Sequence, residues 1–306
     1  MNLAKYSRHQ WFVLVVFLSL LLFWGPLQSL AGFVREQEQY SHIVLIPFVT
    51  AFLLYQARKK VFAEVEYHPR SGVALLIAAI AIYALHRFLG HSLSKNDSLS
   101  LLMAALVLVW LGGFVCCYGR RSFRAGLFPL LFLFFVVPIP DFLLSATIRF
   151  LQLGSTEVTA LAFQLLGVPV LRENTVFVLP GVAIEVAKEC SGIRTSLALL
   201  ITVLLAGHLF LRSGWSKLSL VLLAVPLAIF KNGLRIVTLT LLSVYVDAGF
   251  LKGDLHRKGG VVFFAITLLV TAVFLKILQK LESRPGRAAA AEPVQLERDT
   301  QGEGKT

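Results

Sequence analysis

The sequence predicts an all-α polytopic membrane protein, with about eight transmembrane helices, a short helix on the outer face and a small β-hairpin. Hydrophobic residues make up 57% of the 306 residues and charged residues only 15%, whereas soluble domains contain about 45–50% and about 25%. Eight apolar runs are spread along the chain, and about 20 apolar residues suffice to cross a bilayer. This composition excludes a water-soluble globule. The 3 cysteines, two of them adjacent, exclude a disulfide scaffold.

The distribution of basic residues predicts the orientation of these runs. The formal net charge is +12, which in a soluble protein would suggest a nucleic-acid partner. Here the bases collect at the ends of apolar runs, so we expect them to orient the spans and expect no nucleic acid. Eight spans from a cytoplasmic N-terminus place 15 Lys and Arg inside and 9 outside, which favours an N-in, C-in topology. The runs are residues 11–34, 43–55, 72–85, 99–118, 126–143, 192–211, 218–246 and 261–281.

The segment 141–189 interrupts the series of spans. Polar residues recur every third or fourth position in its first part, which is typical of an amphipathic helix at the outer interface. Alternating apolar residues around Asn174 and Pro180-Gly181 then predict two short strands. We expect one integral membrane domain over residues 1–281, with a catalytic core at about 138–281. Residues 282–306, rich in Ala, Glu, Arg, Gln and Gly, are expected to form a disordered cytoplasmic tail.

Three polar segments mark the outer ends of the last three spans. A charged group inside a span is a functional hypothesis by default, because it costs about 2.5–3.5 kcal/mol at the bilayer centre. Cys190 begins the sixth span and His256 precedes the eighth. Arg235 lies 17 residues after Leu218 in the seventh, which is about 25 Å of helical rise. The topology therefore predicts a thiol, a guanidinium and an imidazole at one level of the membrane.

These three groups suit nucleophilic catalysis. A thiol with a pKa of about 8.5 needs a neighbouring cation or base to become the reactive thiolate. His256 is suited to take that proton and return it to a leaving amine. Arg235 keeps its charge, so it is suited to stabilise the thiolate or an oxyanion. Glu189, Ser191, Arg194 and Asn232 flank these groups in the sequence and are expected to support them.

Several alternatives remain open at this level. Arg235 has a structural alternative as the partner of Asp247 or Glu185. Arg194 either organises Cys190 or binds an anionic group. Cys116 and Cys117 lie in a plain apolar run, which favours a packing role. No metal-ligand spacing and no phosphate-binding glycine loop is present in the sequence, so we expect neither a metal nor a cofactor.

The second half of the chain resembles the exosortase/archaeosortase family, which consists of polytopic membrane cysteine transpeptidases of prokaryotes. The most specific elements are Cys-Ser-Gly-Ile-Arg at 190–194 and Asn-x-x-Arg-Ile at 232–236. The resemblance spans 138–260 and also includes Pro138-Ile-Pro140, the stretches 166–170 and 185–189, Arg212-Ser213, Pro226, and His256 before Gly260.

The resemblance implies a function and a partner. The family's catalytic set of Cys, Arg and a third residue falls on Cys190, Arg235 and His256, and the His indicates the bacterial branch. The implied substrates are exported proteins whose C-terminal sorting signal combines a short motif such as Pro-Glu-Pro, a membrane helix and a basic cluster. The implied location is the bacterial inner membrane, with the active site facing outward. Any periplasmic accessory domain is expected to be a separate chain, because the tail is too short to contain one.

Two other classes of function compete with this interpretation. An anion transporter would use Arg194, Lys231 and Arg235 to line its path, since intramembrane charges also occur in transporters. A non-catalytic accessory protein for exopolysaccharide assembly or export would need none of the three catalytic groups. Cys190→Ser discriminates between the classes, because transport or scaffolding would survive the exchange and thiol catalysis would not.

Overall fold

Apolar helices dominate the structure, a computed structural model that describes residues 3–63, 65, 69–179, 182–186, 192–247, 249 and 254–283. At positions 3–6, 69, 182 and 254–259 only the backbone is described. The helices are α1 (Leu3–Leu22), α2 (Trp24–Glu36), α3 (Ile46–Val61), α4 (Pro69–Leu89), α5 (Lys95–Ala125), α6 (Leu127–Phe132), α7 (Asp141–Leu165), α8 (Ile193–Phe210), α9 (Gly214–Tyr245) and α10 (Asp254–Glu282). Two 3₁₀ segments, Glu38–Val44 and Leu133–Val136, precede α3 and follow α6.

Six stretches within the described residues are long and apolar enough to cross a membrane, and two bent helix pairs raise the number to eight. One bent pair is Ser7–Leu22 with Trp24–Glu36, at 70°. The other is Leu127–Val136 with Asp141–Leu165, at 92°. The predicted all-α polytopic membrane fold is therefore confirmed. The six are Glu38–Val61, Arg70–Leu89, Lys95–Ala125, Ile193–Phe210, Gly214–Tyr245 and Gly260–Glu282.

Proline and glycine explain where the helices bend. Pro26 near the start of α2 has no N–H to bond one turn back, so the helix breaks after α1. Pro138 and Pro140 flank the extended segment that separates the second 3₁₀ segment from α7. Gly119, at φ 87°, kinks α5, a conformation that suits glycine because it has no Cβ.

A three-stranded antiparallel sheet follows α7, where two strands were expected. Its strands are β1 (Leu171–Glu173), β2 (Val176–Leu179) and β3 (Val182–Glu185), in the order β1-β2-β3. Phe177 of β2 packs edge-on against Phe163 of α7, with ring centroids 5.5 Å apart. Both rings pack into a buried cluster with Ile236 and Val237 of α9, so the sheet covers the ends of α7 and α9.

The carbonyls of the Pro138–Pro140 segment are anchored on α5. Ser100 Oγ donates to the Pro138 carbonyl at 2.7 Å. Asn96 Nδ2 donates to the Ile139 carbonyl at 2.7 Å. Tyr40 of the first 3₁₀ segment donates its hydroxyl to Asn96 Oδ1 at 3.0 Å. Three separate elements thereby meet at one end of the bundle.

Asp141 completes this junction at the first residue of α7. Its Oδ1 accepts from Asn96 Nδ2 at 2.8 Å, and its Oδ2 accepts from Ser94 Oγ at 2.5 Å. Its backbone N–H donates to Asp97 Oδ1 at 2.7 Å. Asp141 therefore ties the start of α7 to the start of α5, an arrangement that the sequence analysis did not anticipate.

Asp141→Ala is expected to lower the melting temperature of the detergent-solubilised protein. It removes two hydrogen bonds to a charged acceptor, each worth about 1.5–3 kcal/mol, so the folded protein should lose about 3 kcal/mol or more. Glu173→Ala, at an exposed position in β1, is the matched control and should leave the melting temperature unchanged. Equal melting temperatures for the two variants would contradict the anchoring role of Asp141.

Candidate functional site

A cavity of about 490 Å³ lies where the starts of α8 and α10 meet α9 and the first 3₁₀ segment. Among the described residues, its charged lining is Arg194 from α8, Arg235 from α9 and Glu38 from the 3₁₀ segment. Gly192, which precedes α8, and Gly260, in the second turn of α10, also line it. We call this space the charged cavity.

Arg194 forms an ion pair with Glu38 across the charged cavity, from its Nη1 to the Glu38 Oε2. Their side chains are 57% and 78% exposed, so this pair contributes little to stability. The pair nevertheless shows that Glu38, from the first half of the chain, lies beside the start of α8. Neither Glu38 nor its neighbour Gln39, which also lines the cavity, was predicted as a site residue.

The turn before α8 requires a glycine. Gly192 is the N-cap of α8 with φ 71°, a left-handed conformation that costs other L-residues about 1–2 kcal/mol. A Cβ at this position would lie 3.0 Å from Asn232 Oδ1. The Thr195 hydroxyl donates to the Gly192 carbonyl at 3.0 Å. Asn232 on one side and the Thr195 hydrogen bond on the other therefore constrain the backbone at Gly192.

Gly192→Ala is expected to slow substrate processing and to destabilise this turn by about 1–2 kcal/mol, because alanine is strained at positive φ. Processing rate and melting temperature are the measurements. The control is Gly214→Ala at the start of α9, where a Cβ would meet nothing within 4 Å. If Gly192→Ala and Gly214→Ala process substrate equally fast, the requirement for glycine is contradicted.

Asn232 lies behind the charged cavity and holds helices together. Its side chain is buried, at 1% exposure, and Nδ2 donates to Ser155 Oγ of α7 at 3.0 Å. The next residue, Gly233, allows close approach, since a Cβ there would lie 2.6 Å from Val158 Cγ1. Asn232 bonds to α7 and lies close to the Gly192 turn, so it connects α9 with both.

Lys231 is a buried cation in the same region. Only 7% of it is exposed, and its Nζ donates a hydrogen bond to Thr195 Oγ1. Thr195 lines the charged cavity, so Lys231 stands directly behind the cavity wall. The sequence analysis considered Lys231 only as part of an anion path. A lysine in the middle of an apolar run is costly, and this cost already marked Lys231 as a candidate functional residue.

The structure places the predicted catalytic residues as follows. Arg235 lines the charged cavity. His256 belongs to the first turn of α10, one helical turn before Gly260, and its side chain is outside the described part. Cys190, Glu189 and Ser191 lie outside the described residues. Cys190 precedes Gly192 by two positions, which limits the distance between their Cα atoms to about 7 Å.

The two cysteines in the described part of the chain do not line the charged cavity. Cys116 and Cys117 lie half-buried in α5. Within the described residues, no group of three or more His, Cys, Asp or Glu side chains is arranged to hold a metal ion. The described residues contribute two guanidiniums and one carboxylate to the cavity lining, a set that favours anions or a developing negative charge.

The chain matches a known protein family. A sequence model described as transmembrane exosortase matches residues 33–273. The matched region includes every described residue that lines the charged cavity. No curated protein and no solved structure matches the chain. The match covers well over half of the chain, and the chain therefore belongs to the transmembrane exosortase family.

Proposed function

We propose that this chain is a membrane-embedded thiol transpeptidase or protease that cleaves the C-terminal sorting signals of exported proteins. Membership in the exosortase family supports a membrane sorting role in general. The observation that carries the finer proposal is the charged cavity. Arg235, the glycine two positions after Cys190, and the helix that begins with the His256 turn all border it.

The proposed reaction proceeds through a thioester. His256 accepts the proton of Cys190, and the sulfur attacks the carbonyl carbon of the scissile peptide bond. Arg235 donates hydrogen bonds to the oxyanion of the tetrahedral intermediate. The C–N bond then breaks, and His256 returns its proton to the departing amine. Water or an acceptor amine next attacks the thioester carbonyl and releases the thiolate, which gives hydrolysis or transfer.

The bilayer is part of the proposed binding site. A substrate with its own membrane helix is already oriented, so the enzyme needs no deep cleft to position the scissile bond. The proposed substrate motif emerges at the outer interface beside the charged cavity. The test is to co-express a substrate that has such a three-part tail. Cys190-dependent shortening of the tail supports the proposal, and shortening by the Cys190→Ser variant contradicts it.

Anion transport is the second candidate, and one observation favours it. Arg194, Arg235 and the buried Lys231 place three cations in one region, as an anion path would require. Anion flux into vesicles that contain the purified Cys190→Ser variant discriminates the two functions. Undiminished flux supports transport, whereas a lack of flux together with lost processing supports thiol catalysis.

The proposed orientation is N-in and C-in at the bacterial inner membrane, with the charged cavity outside. Cysteines introduced at Lys188 and Lys252 are therefore expected to react with a membrane-impermeant thiol reagent in intact cells. Cysteines at Arg121 and Lys217 should react only after the cells are opened. Labelling at position 217 but not at 252 would reverse the orientation and move the site to the cytoplasmic face.

A further inference from the structure

Lys231 is a buried charge that the proposed reaction does not use. Only 7% of this residue, which lies within a membrane helix, is exposed. Among the described residues, no carboxylate lies within ion-pair distance of its Nζ. An ammonium removed from water without a counter-ion is costly, so a lysine maintained here requires a compensating interaction.

Two hydrogen bonds connect this ammonium to the turn before α8. Lys231 Nζ donates to Thr195 Oγ1, and Thr195 Oγ1 donates to the Gly192 carbonyl. Two hydrogen bonds in series place the nitrogen within about 6 Å of that carbonyl oxygen. Gly192 follows Cys190 by two residues. The charge therefore lies behind the Gly192 turn, which is two residues along the chain from the proposed nucleophile.

In the described part of the chain, two arginines carry the other positive charges near Lys231. Arg235 lies one helical turn further along α9, and Arg194 on α8 is paired with Glu38 of the 3₁₀ segment. In the sequence, Lys188 and Glu189 directly precede Cys190. From α7, the groups that bond to the adjacent residues of α9 are the uncharged Ser155 and Thr159. On the first turns of α10 the sequence has Asp254, His256, Arg257 and Lys258, whose side chains are outside the described part.

We propose that Lys231 is a positioning residue of the Cys190 site, which acts through Thr195 to hold positive charge under the Gly192 turn and thereby favours the thiolate form of Cys190. This proposal rests on the proposed function, in which Cys190 is the nucleophile. The pairing would stabilise both groups. The buried ammonium of Lys231 needs a nearby anion, and the Cys190 thiol needs a nearby cation to ionise and become a nucleophile. Lys231 itself touches neither substrate nor reacting atoms.

The test measures how fast iodoacetamide alkylates Cys190 between pH 5 and pH 10. The full-length protein has Cys116→Ala and Cys117→Ala, so Cys190 is the remaining thiol. Lys231→Met should raise the midpoint of the pH profile by about one unit, which lowers the rate at pH 7 about tenfold. The plateau at high pH should stay unchanged, which shows that Cys190 remains equally accessible.

Two further variants separate the effect of the positive charge from that of the hydrogen bond to Thr195. Lys231→Gln retains a donor for Thr195 and loses the charge, so it should shift the midpoint as Lys231→Met does. Lys231→Arg retains the charge and should keep the midpoint near the original. The matched control is Lys217→Met, an identical exchange about 21 Å away on α9, which should change nothing. If Lys231→Met does not insert, Lys231→Gln decides the outcome.

A Lys231→Gln midpoint equal to that of the unsubstituted protein would overturn the proposal, because the hydrogen bond alone would then suffice. Equal midpoints in all Lys231 variants would overturn it too. In either case, Cys190-dependent shortening of a substrate tail would leave the proposed function standing. Loss of that dependence would instead remove the proposed function, whatever the alkylation profile.

Discussion

Cys190→Ala is expected to abolish substrate processing while the protein still inserts into the membrane. Removing a catalytic nucleophile lowers turnover by more than about 10⁴-fold, because no other group forms the covalent intermediate. The measurement is the shortening of a co-expressed tail substrate, with the amount of membrane-inserted enzyme matched between variants. We expect no detectable shortened product.

The Cys116→Ala/Cys117→Ala double variant is the control for this prediction. Both cysteines are half-buried in α5, and Cys116 packs closely against Gly72 of α4. Alanine fills a similar volume at these positions, so processing should continue at a near-normal rate. An active Cys190→Ala enzyme together with an inactive double variant would transfer the nucleophile to α5.

His256→Ala is expected to reduce acylation by an amide substrate by about 10²–10⁴-fold, the usual contribution of general acid–base catalysis. An activated ester should partly bypass the loss, because its leaving group departs without a proton. Single-turnover acylation across pH 6–8 measures both effects. If the variant acylates with the amide as fast as the unsubstituted enzyme, His256 is not the acid–base group.

Arg235→Lys separates the role of the guanidinium from that of the imidazole. Lysine keeps a positive charge but loses the planar set of donors, so strong impairment is expected with little change in pH dependence. Neither the amide nor the ester should escape it, since both form an oxyanion. The acylation rate of Arg235→Lys should still change with pH around 6.5, where a His titrates. If that change disappears, Arg235 also takes part in proton transfer.

The sequence predicts the membrane architecture well, because hydropathy is a local property. The apolar runs correspond to the spanning helices and bent pairs, and the bends fall at prolines. Arg235 could be predicted as a cavity residue because a charge in an apolar span is costly and usually faces the bundle interior or a water-filled space. The sheet was recognised from alternation around Asn174, although its third strand was not.

The contacts that shape the charged cavity and the Asp141 junction could not be predicted, because they join distant parts of the chain. Glu38 and Arg194 are separated by 156 residues. Asn96 and Asp141 are 45 residues apart. No periodicity marks either pair, and each forms only when helices from both halves pack together. Lys231 was visible in the sequence, but its bond to Thr195 depends on how α8 and α9 approach each other.

The junction at Asp141 also has a consequence for how the protein is made. Ribosomes deliver the chain from its N-terminus, so Ser94, Asn96 and Asp97 are in the membrane before Asp141 emerges. The side chains that bond to the start of α7 are therefore already in place when it emerges, and α7 can bend away from the preceding short helix without leaving its first residue unbonded.

A fragment that began at residue 138 would contain Cys190, Arg235 and His256. It would lack both this docking point and the Glu38 side of the charged cavity, so we expect it to be inactive and expect the shortest active version of the protein to retain the first half of the chain.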